Sequence, residues 1–171
     1  MSIRVGEVTF LGNPLTLEGT LPTVGKPAPD ATVLDGGLKP VRLSDYRGKT
    51  VVLVTVPSLD TPVCDMETRR FNREATTLGG QVVVLVVSMD LPFAQARWCG
   101  AAGVDRVVAL SDHRDAALGS AYGVLIRELR LLARSVFVIA ADGVLRYAQV
   151  VKEVTREPDY DAVVKAIRTA M

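Results

Sequence analysis

The segment Thr61-Pro62-Val63-Cys64 places a cysteine where it could act as a nucleophile, because a helix is predicted to begin there. Threonine before proline is driven out of the helical conformation, which suits an N-cap. Pro62 then falls at the first helical position, where its missing N–H is not needed. Cys64 follows in the first turn, among free backbone N–H groups at the positive end of the helix dipole. This setting favours the thiolate, so the sequence predicts a reactive cysteine.

The alternative for Cys64 is a structural role, because free cysteine is among the most buried residue types and often acts as a small hydrophobe. The apolar strand before it, the short loop with proline and the helix start favour the nucleophile instead. On this interpretation, Val63 and Met66 face the core, whereas Cys64 and Asp65 face the loop.

The second cysteine, Cys99, is predicted to end the helix after the second central strand, with Gly100 as the helix stop. If Cys64 is oxidised to a sulfenic acid, a nearby thiol would condense with it to a disulfide. The residues alone leave open whether the two sulfurs meet. The alternative for Cys99 is a buried cysteine beside Trp98 at the end of a helix.

Polar groups should surround a thiolate that attacks a peroxide, because the leaving oxygen develops negative charge. The hydroxyl of Thr61 could point toward the sulfur or the peroxide, and it could equally serve only as an N-cap. Arg134 stands directly before the apolar run 135–140, where its guanidinium could reach over a strand end. Nothing local distinguishes Arg134 from Arg69 or Arg130.

The single histidine, His113, is predicted to lie on the surface at a helix start, although a pairing with Cys64 is chemically possible. A structural zinc site normally takes four Cys or His ligands, and the chain holds three such residues, widely separated. We therefore expect neither a metal nor another cofactor.

Composition excludes several classes of function. The net charge of +1 over 171 residues predicts no strong attraction to nucleic acid or to an anionic membrane. The first residues lack the apolar segment of a secretory signal, and the apolar runs are too short to span a membrane. We therefore expect a soluble, cytoplasmic protein, in which two cysteines favour transient redox use over a static disulfide. A Cys-x-x-Cys pair is absent.

The pattern of apolar runs predicts one α/β domain over residues 1–171, with strands that alternate with helices. A hairpin is predicted within residues 3–20. Further strands are predicted at 31–34, 40–43, 50–56, 81–88, 106–110, 135–140 and 144–151, and helices at 62–78, 92–99, 113–122 and 159–170. The central sheet should be covered on both faces, with an antiparallel edge after Asp142-Gly143.

The residues 57–64 resemble the P-x-x-x-T/S-x-x-C signature of the peroxiredoxins. Longer segments are similar to the bacterial thiol peroxidase subfamily: SLDTPVCDMETRRFN (58–72), SMDLPFAQARWCG (88–100), LSDHRD (110–115), AYGVLIRELRLLARSVFVI (121–139) and EVTREPDYDA (153–162). The similarity runs over nearly the whole chain, including the N-terminal hairpin.

This resemblance implies a thioredoxin-like fold with an added N-terminal hairpin and an antioxidant peroxidase activity on hydrogen peroxide and alkyl hydroperoxides. It implies that Cys64 is the peroxidatic cysteine and Cys99 the resolving cysteine, which form a disulfide within one chain. Arg134, Thr61 and Pro57 match the other active-site residues of the family. The resemblance also implies thioredoxin as the reductant and a homodimer.

Two other functions stay open at this stage. In a one-cysteine peroxidase, Cys99 would serve only in packing. In a peroxide sensor, Cys64 would act as a redox switch without rapid turnover. A purely structural α/β domain is the third possibility.

Overall fold

The valine-rich runs of the sequence form the centre of a seven-stranded mixed sheet in the computed structural model, which describes residues 1–171. The strands, in chain order, are β1 (Ile3–Phe10), β2 (Asn13–Glu18), β3 (Thr32–Leu34), β4 (Pro40–Arg42), β5 (Thr50–Thr55), β6 (Val82–Ser88), β7 (Val107–Ser111), β8 (Leu125–Ile126), β9 (Leu131–Leu132), β10 (Ser135–Ile139) and β11 (Leu145–Val150). The helices are α1 (Pro62–Leu78), α2 (Pro92–Ala102), α3 (Ala117–Ala121) and α4 (Tyr160–Ala170), and a 3-10 turn covers Leu43–Tyr46.

The main sheet has the strand order β11-β10-β5-β6-β7-β3-β4. β5, β6 and β7 are parallel, whereas β10, β11, β3 and β4 add antiparallel edges. Every residue of β5 is buried, because helices or further strands cover both faces of the sheet. The predicted α/β class, with a central mixed sheet flanked by helices, is confirmed.

Successive residues of β5 point into two different hydrophobic clusters, one on each face of the sheet. Val52 and Val54 pack with residues of α1 and α4, and α2 adds Trp98 and Ala102 to that cluster. On the opposite face, the partners come from α3 and the N-terminal hairpin. The helices that carry the two cysteines therefore cover the same face of the sheet.

A small antiparallel sheet, in the order β1-β2-β8-β9, joins the predicted hairpin to a second hairpin that the sequence did not predict. β8 and β9 are each two residues long, too short to show an alternating pattern. The pairing of β8 with β9 also positions Arg134, which lies in the two-residue segment between the end of β9 and the start of β10.

Two predicted helix boundaries were wrong. α2 continues through Gly100 and ends at Ala102. The next residue, Gly103, caps the helix: its backbone is left-handed (φ +66°), and its N–H donates to the Cys99 carbonyl. Cys99 therefore lies inside the helix. The helix predicted over 113–122 is only α3, because the Asp112 carboxylate binds the N–H groups of Leu118 and Gly119 and fixes a turn before it. None of the helices is long and apolar enough to cross a membrane.

Candidate active site

The start of α1 follows the sequence prediction. Thr61 is the N-cap with an extended backbone, and Pro62 is the first helical residue. The Thr61 carbonyl accepts the N–H of Asp65 at 2.9 Å. The Thr61 hydroxyl, however, donates to the Ser58 carbonyl at 3.0 Å and does not cap the helix, so this bond ties the helix start to the preceding loop.

Cys64 faces the core, which corrects the expectation that it faces the loop. Its exposed fraction is 0%, whereas that of Met66 is 50%. The reason is helical periodicity: the buried residues of α1 form one stripe that covers the sheet, made of Cys64, Glu67, Thr68, Phe71 and Ala75. The thiol is therefore held at the base of the first turn, beneath the helix.

Arg134 reaches this thiol from the short segment between β9 and β10. One terminal nitrogen, Nη2, lies 3.2 Å from Cys64 Sγ, and Nε donates to the Val154 carbonyl at 3.0 Å. The other terminal nitrogen, Nη1, is paired with the carboxylate of Glu67. The Arg134 side chain is 98% buried, and three partners fix its guanidinium with one nitrogen against the sulfur.

Glu67 is a buried acid that the sequence reading missed. Burial raises its pKa to about 7, although the charge of Arg134 acts in the opposite direction. Its second oxygen, Oε1, has no hydrogen-bond partner. For Arg134, burial alone would lower the pKa, but Glu67 and Cys64 together raise it, so the arginine stays charged. The spacing of three residues from Cys64, on one helix face, was the signal that could have identified Glu67.

Asp90 organises the loop before α1 and was also missed. Its carboxylate accepts the Ser58 hydroxyl at 2.7 Å, the Leu59 N–H at 2.9 Å and the Ser88 hydroxyl at 2.7 Å. Pro57, which the sequence did single out, is buried directly after β5, where this loop starts. Asp90, which lies just after the end of β6, therefore fixes the loop that leads from β5 to Cys64.

Cys99 lies on α2 and is half-buried, and both thiols are free. Burial raises the pKa of the Cys99 thiol. Trp98 and Ala102 of the same helix pack against the hydrophobic cluster that includes Cys64. The structure thus places both cysteines on helices of one face, with no bond between them.

His113 does not take part in this arrangement. Its Nδ1 lies 2.9 Å from the Ser111 hydroxyl, in the turn before α3. No group of three or more His, Cys, Asp or Glu side chains is arranged to hold a metal ion. Of the candidate residues, the structure brings Cys64 and Arg134 into direct contact.

The cysteine is buried at a helix start, and a fixed guanidinium contacts its sulfur. The helix N-terminus and the guanidinium can stabilise both a thiolate at this sulfur and a negatively charged oxygen that leaves from a substrate. These features, on a mixed sheet flanked by helices, define a thiol-dependent redox protein. The family model described as Redoxin matches residues 23–164, and the chain belongs to this family.

Relatives of similar sequence identify the kind of thiol-dependent redox protein more closely. The thiol peroxidase of Bacillus subtilis (strain 168) is 52% identical over 164 residues, which are 96% of this chain and 98% of that protein. The thiol peroxidase of Staphylococcus aureus (strain MRSA252) is 52% identical over 162 residues, 95% of this chain and 98% of that protein. The prediction of a peroxiredoxin-type peroxidase is therefore confirmed.

Solved structures agree with this assignment. A peroxiredoxin-like protein from Aquifex aeolicus superposes with a TM-score of 0.90 at 42% identity, covering 98% of this chain and 99% of that chain. A thiol peroxidase from Chromobacterium violaceum shares the fold, with a TM-score of 0.84 at 22% identity over 95% of each chain. The predicted thioredoxin-like fold is confirmed.

Proposed function

We propose that this enzyme reduces hydrogen peroxide and organic hydroperoxides through a sulfenic acid on Cys64 and a Cys64–Cys99 disulfide that thioredoxin reduces. The observation that carries the proposal is the 3.2 Å contact between Arg134 Nη2 and Cys64 Sγ in the first turn of α1. A fixed cation at that position favours the nucleophilic thiolate and lies where the peroxide oxygens must approach.

The first step is the attack of the Cys64 thiolate on one peroxide oxygen. The O–O bond breaks as an S–O bond forms, and two electrons pass from sulfur to the peroxide. The other oxygen leaves as hydroxide or alkoxide and takes up a proton to become water or an alcohol. Arg134 and the free N–H groups of the first turn stabilise the leaving charge, with Thr61 and Pro57 shaping the approach.

The second step is condensation of the Cys99 thiol with the sulfenic acid, which forms the S–S bond and releases water. This assignment is supported by the position of Cys99 on a helix that packs on the same hydrophobic cluster as Cys64. A dithiol protein then restores both thiols by exchange and becomes a disulfide itself. Thioredoxin is the proposed reductant, in the cytoplasm, and the active form is proposed to be a homodimer.

Mass analysis after one equivalent of peroxide tests the disulfide. We expect an intrachain Cys64–Cys99 bond, found in a peptide digest and as the loss of two alkylatable thiols in the intact chain. A stable sulfenic acid on Cys64, with Cys99 still alkylatable, would contradict the two-cysteine cycle and favour the one-cysteine peroxidase.

Turnover with thioredoxin, thioredoxin reductase and NADPH separates the enzyme from a peroxide sensor. The wild type should consume peroxide through many cycles, and Cys64→Ser should abolish the activity. Cys99→Ser, the matched control, should still react once at Cys64, lose turnover and accumulate sulfinic acid. Oxidation of the wild type that stops after one equivalent would favour the sensor.

A further inference from the structure

Arg69 lies on α1, one turn after the peroxidatic cysteine. Its Nε is 2.9 Å from the carboxylate of Asp65, the residue that follows Cys64. This pair spans one helical turn, so it keeps the guanidinium on the side of α1 that faces α2.

From that position, Arg69 also binds the helix that carries Cys99. Its Nη1 donates to the Ala102 carbonyl at 3.1 Å, and its guanidinium lies 5.7 Å from the centre of the Trp98 ring. The Ala102 carbonyl belongs to the last turn of α2, where carbonyls have no partner within the helix. One side chain therefore contacts sequence neighbours of both cysteines.

The two thiols are not bonded to each other in this arrangement. Cys64 is fully buried and hydrogen-bonded to Arg134, while Cys99 is a free thiol inside α2. A disulfide needs Cβ atoms roughly 3.5–4.5 Å apart with directed geometry. Because Cys64 is fully buried under α1 and Cys99 lies inside α2, we infer that at least one helix opens locally before the sulfurs bond. Contacts that hold α1 against α2 oppose this opening.

We propose that Arg69 is a positioning residue for the resolving step: it holds α2 against α1 and thereby limits how fast Cys99 reaches the Cys64 sulfenic acid. The inference rests on the proposed two-cysteine cycle. Two reactions then compete for the sulfenic acid. Condensation with Cys99 releases water and gives the disulfide, whereas a second peroxide gives sulfinic acid and one further water or alcohol.

The contacts of Arg69 with Asp65, Ala102 and Trp98, called the Arg69 latch below, are weak enough to break and re-form during each cycle. The Arg69 side chain is 43% exposed, so its ion pair is screened and can break at little cost. A second tie, from the Arg106 N–H to Asn72 Oδ1 at 2.6 Å, also connects α1 with the segment after α2. This tie stays in place when Arg69 is replaced, so the helices should remain packed in the reduced variant.

The test compares Arg69→Met with Arg70→Met by rapid mixing with peroxide, acid quench, alkylation and mass analysis. Arg70 is a matched control because it also pairs with an acid four residues away, Glu74, and also lies over an aromatic ring, that of Tyr160. These partners belong to α1 and α4, not to α2. Arg69→Lys, which keeps the charge but loses the fork, provides a second variant if methionine disturbs folding.

We expect Arg69→Met to form the disulfide about three- to tenfold faster than the wild type, the effect of losing one partly exposed charged hydrogen bond. The rate of sulfenic acid formation should stay within about twofold, and less sulfinic acid should accumulate at high peroxide. Arg70→Met should match the wild type in all three measurements.

Disulfide formation at the wild-type rate or slower in both Arg69 variants would overturn the latch while leaving the two-cysteine cycle intact. A wild type that forms no Cys64–Cys99 disulfide would instead overturn the cycle itself. The same samples therefore identify which of the two proposals fails.

Discussion

Replacing Glu67 by glutamine should remove a pH dependence of stability that the wild type carries. The carboxyl is fully buried on α1, and burial raises its pKa from an ordinary 4.5 to about 7. In the unfolded chain the same group returns to its ordinary value. Folding therefore takes up a proton at Glu67 over the range between these two values.

The sign of the effect follows from which state binds the proton. Below the unfolded value both states are protonated, and the contribution of Glu67 to stability is fully present. As pH rises toward 7, the unfolded chain ionises first, so the free energy of unfolding falls. The 2.5-unit difference corresponds to about 3 kcal/mol, of which about 2 kcal/mol is lost between about pH 5 and pH 7.

Urea denaturation of the reduced proteins at about pH 5 and about pH 8 measures this term. The wild-type midpoint should fall by about 1 M more than that of Glu67→Gln, since the slope in urea is about 1–3 kcal/mol per M. Glu74→Gln is the control, because Glu74 lies on the same helix in a partly exposed pair with Arg70. If the urea midpoints of the wild type and Glu67→Gln change with pH in the same way, the raised pKa of the buried Glu67 is refuted.

Substitutions at two further positions test the arginine at the thiol and the acid that holds the loop before α1. Arg134→Ala should slow sulfenic acid formation on the order of 100-fold, as expected for loss of a preorganised donor, and Arg134→Lys should stay clearly impaired; a near-wild-type rate in stopped flow, with the fold intact, would mean that another group supplies the charge. Asp90→Asn should lower the free energy of unfolding by about 1–3 kcal/mol, because the amide nitrogen faces N–H and O–H donors and leaves one unpaired; unchanged urea midpoints would show that the Ser58–Leu59 loop holds without the carboxylate.

The sequence predicted best where the structure is set by local chemistry. The bounds of α1 follow from Thr61 and Pro62 at its start and from Gly79 just after its end, and the prediction of 62–78 was correct. The predicted orientation of Cys64 was wrong because the first turn alone does not show which side of the helix is buried. Phe71 and Ala75, spaced seven and eleven residues from Cys64, mark the buried stripe and would have placed the thiol on it.

Contacts between residues far apart in the chain could not be predicted from the sequence pattern. Arg134 is 70 residues from Cys64, and the fold brings it to the sulfur from the segment between β9 and β10. No local signal separates it from other arginines, so its selection depended on the resemblance. Glu67 and Asp90 were missed for a related reason: an acid on a helix or in a loop is usually solvated, and only the fold buries or surrounds these two.

The buried guanidinium of Arg134 contacts two acidic groups, the Glu67 carboxyl and the Cys64 thiol. This shared contact links the stability of the enzyme to its proposed cycle. The single charge of Arg134 can balance the Cys64 thiolate or the Glu67 carboxylate, and the raised pKa of Glu67 leaves that charge partly free for the sulfur near neutral pH. In that proposed cycle, oxidation turns the Cys64 thiolate into a neutral sulfenic acid. Arg134 then retains Glu67 as its only anionic partner, so its attraction to the sulfur weakens. In the proposed cycle, the arginine that activates Cys64 for peroxide therefore holds it less firmly at the step in which Cys64 bonds to Cys99.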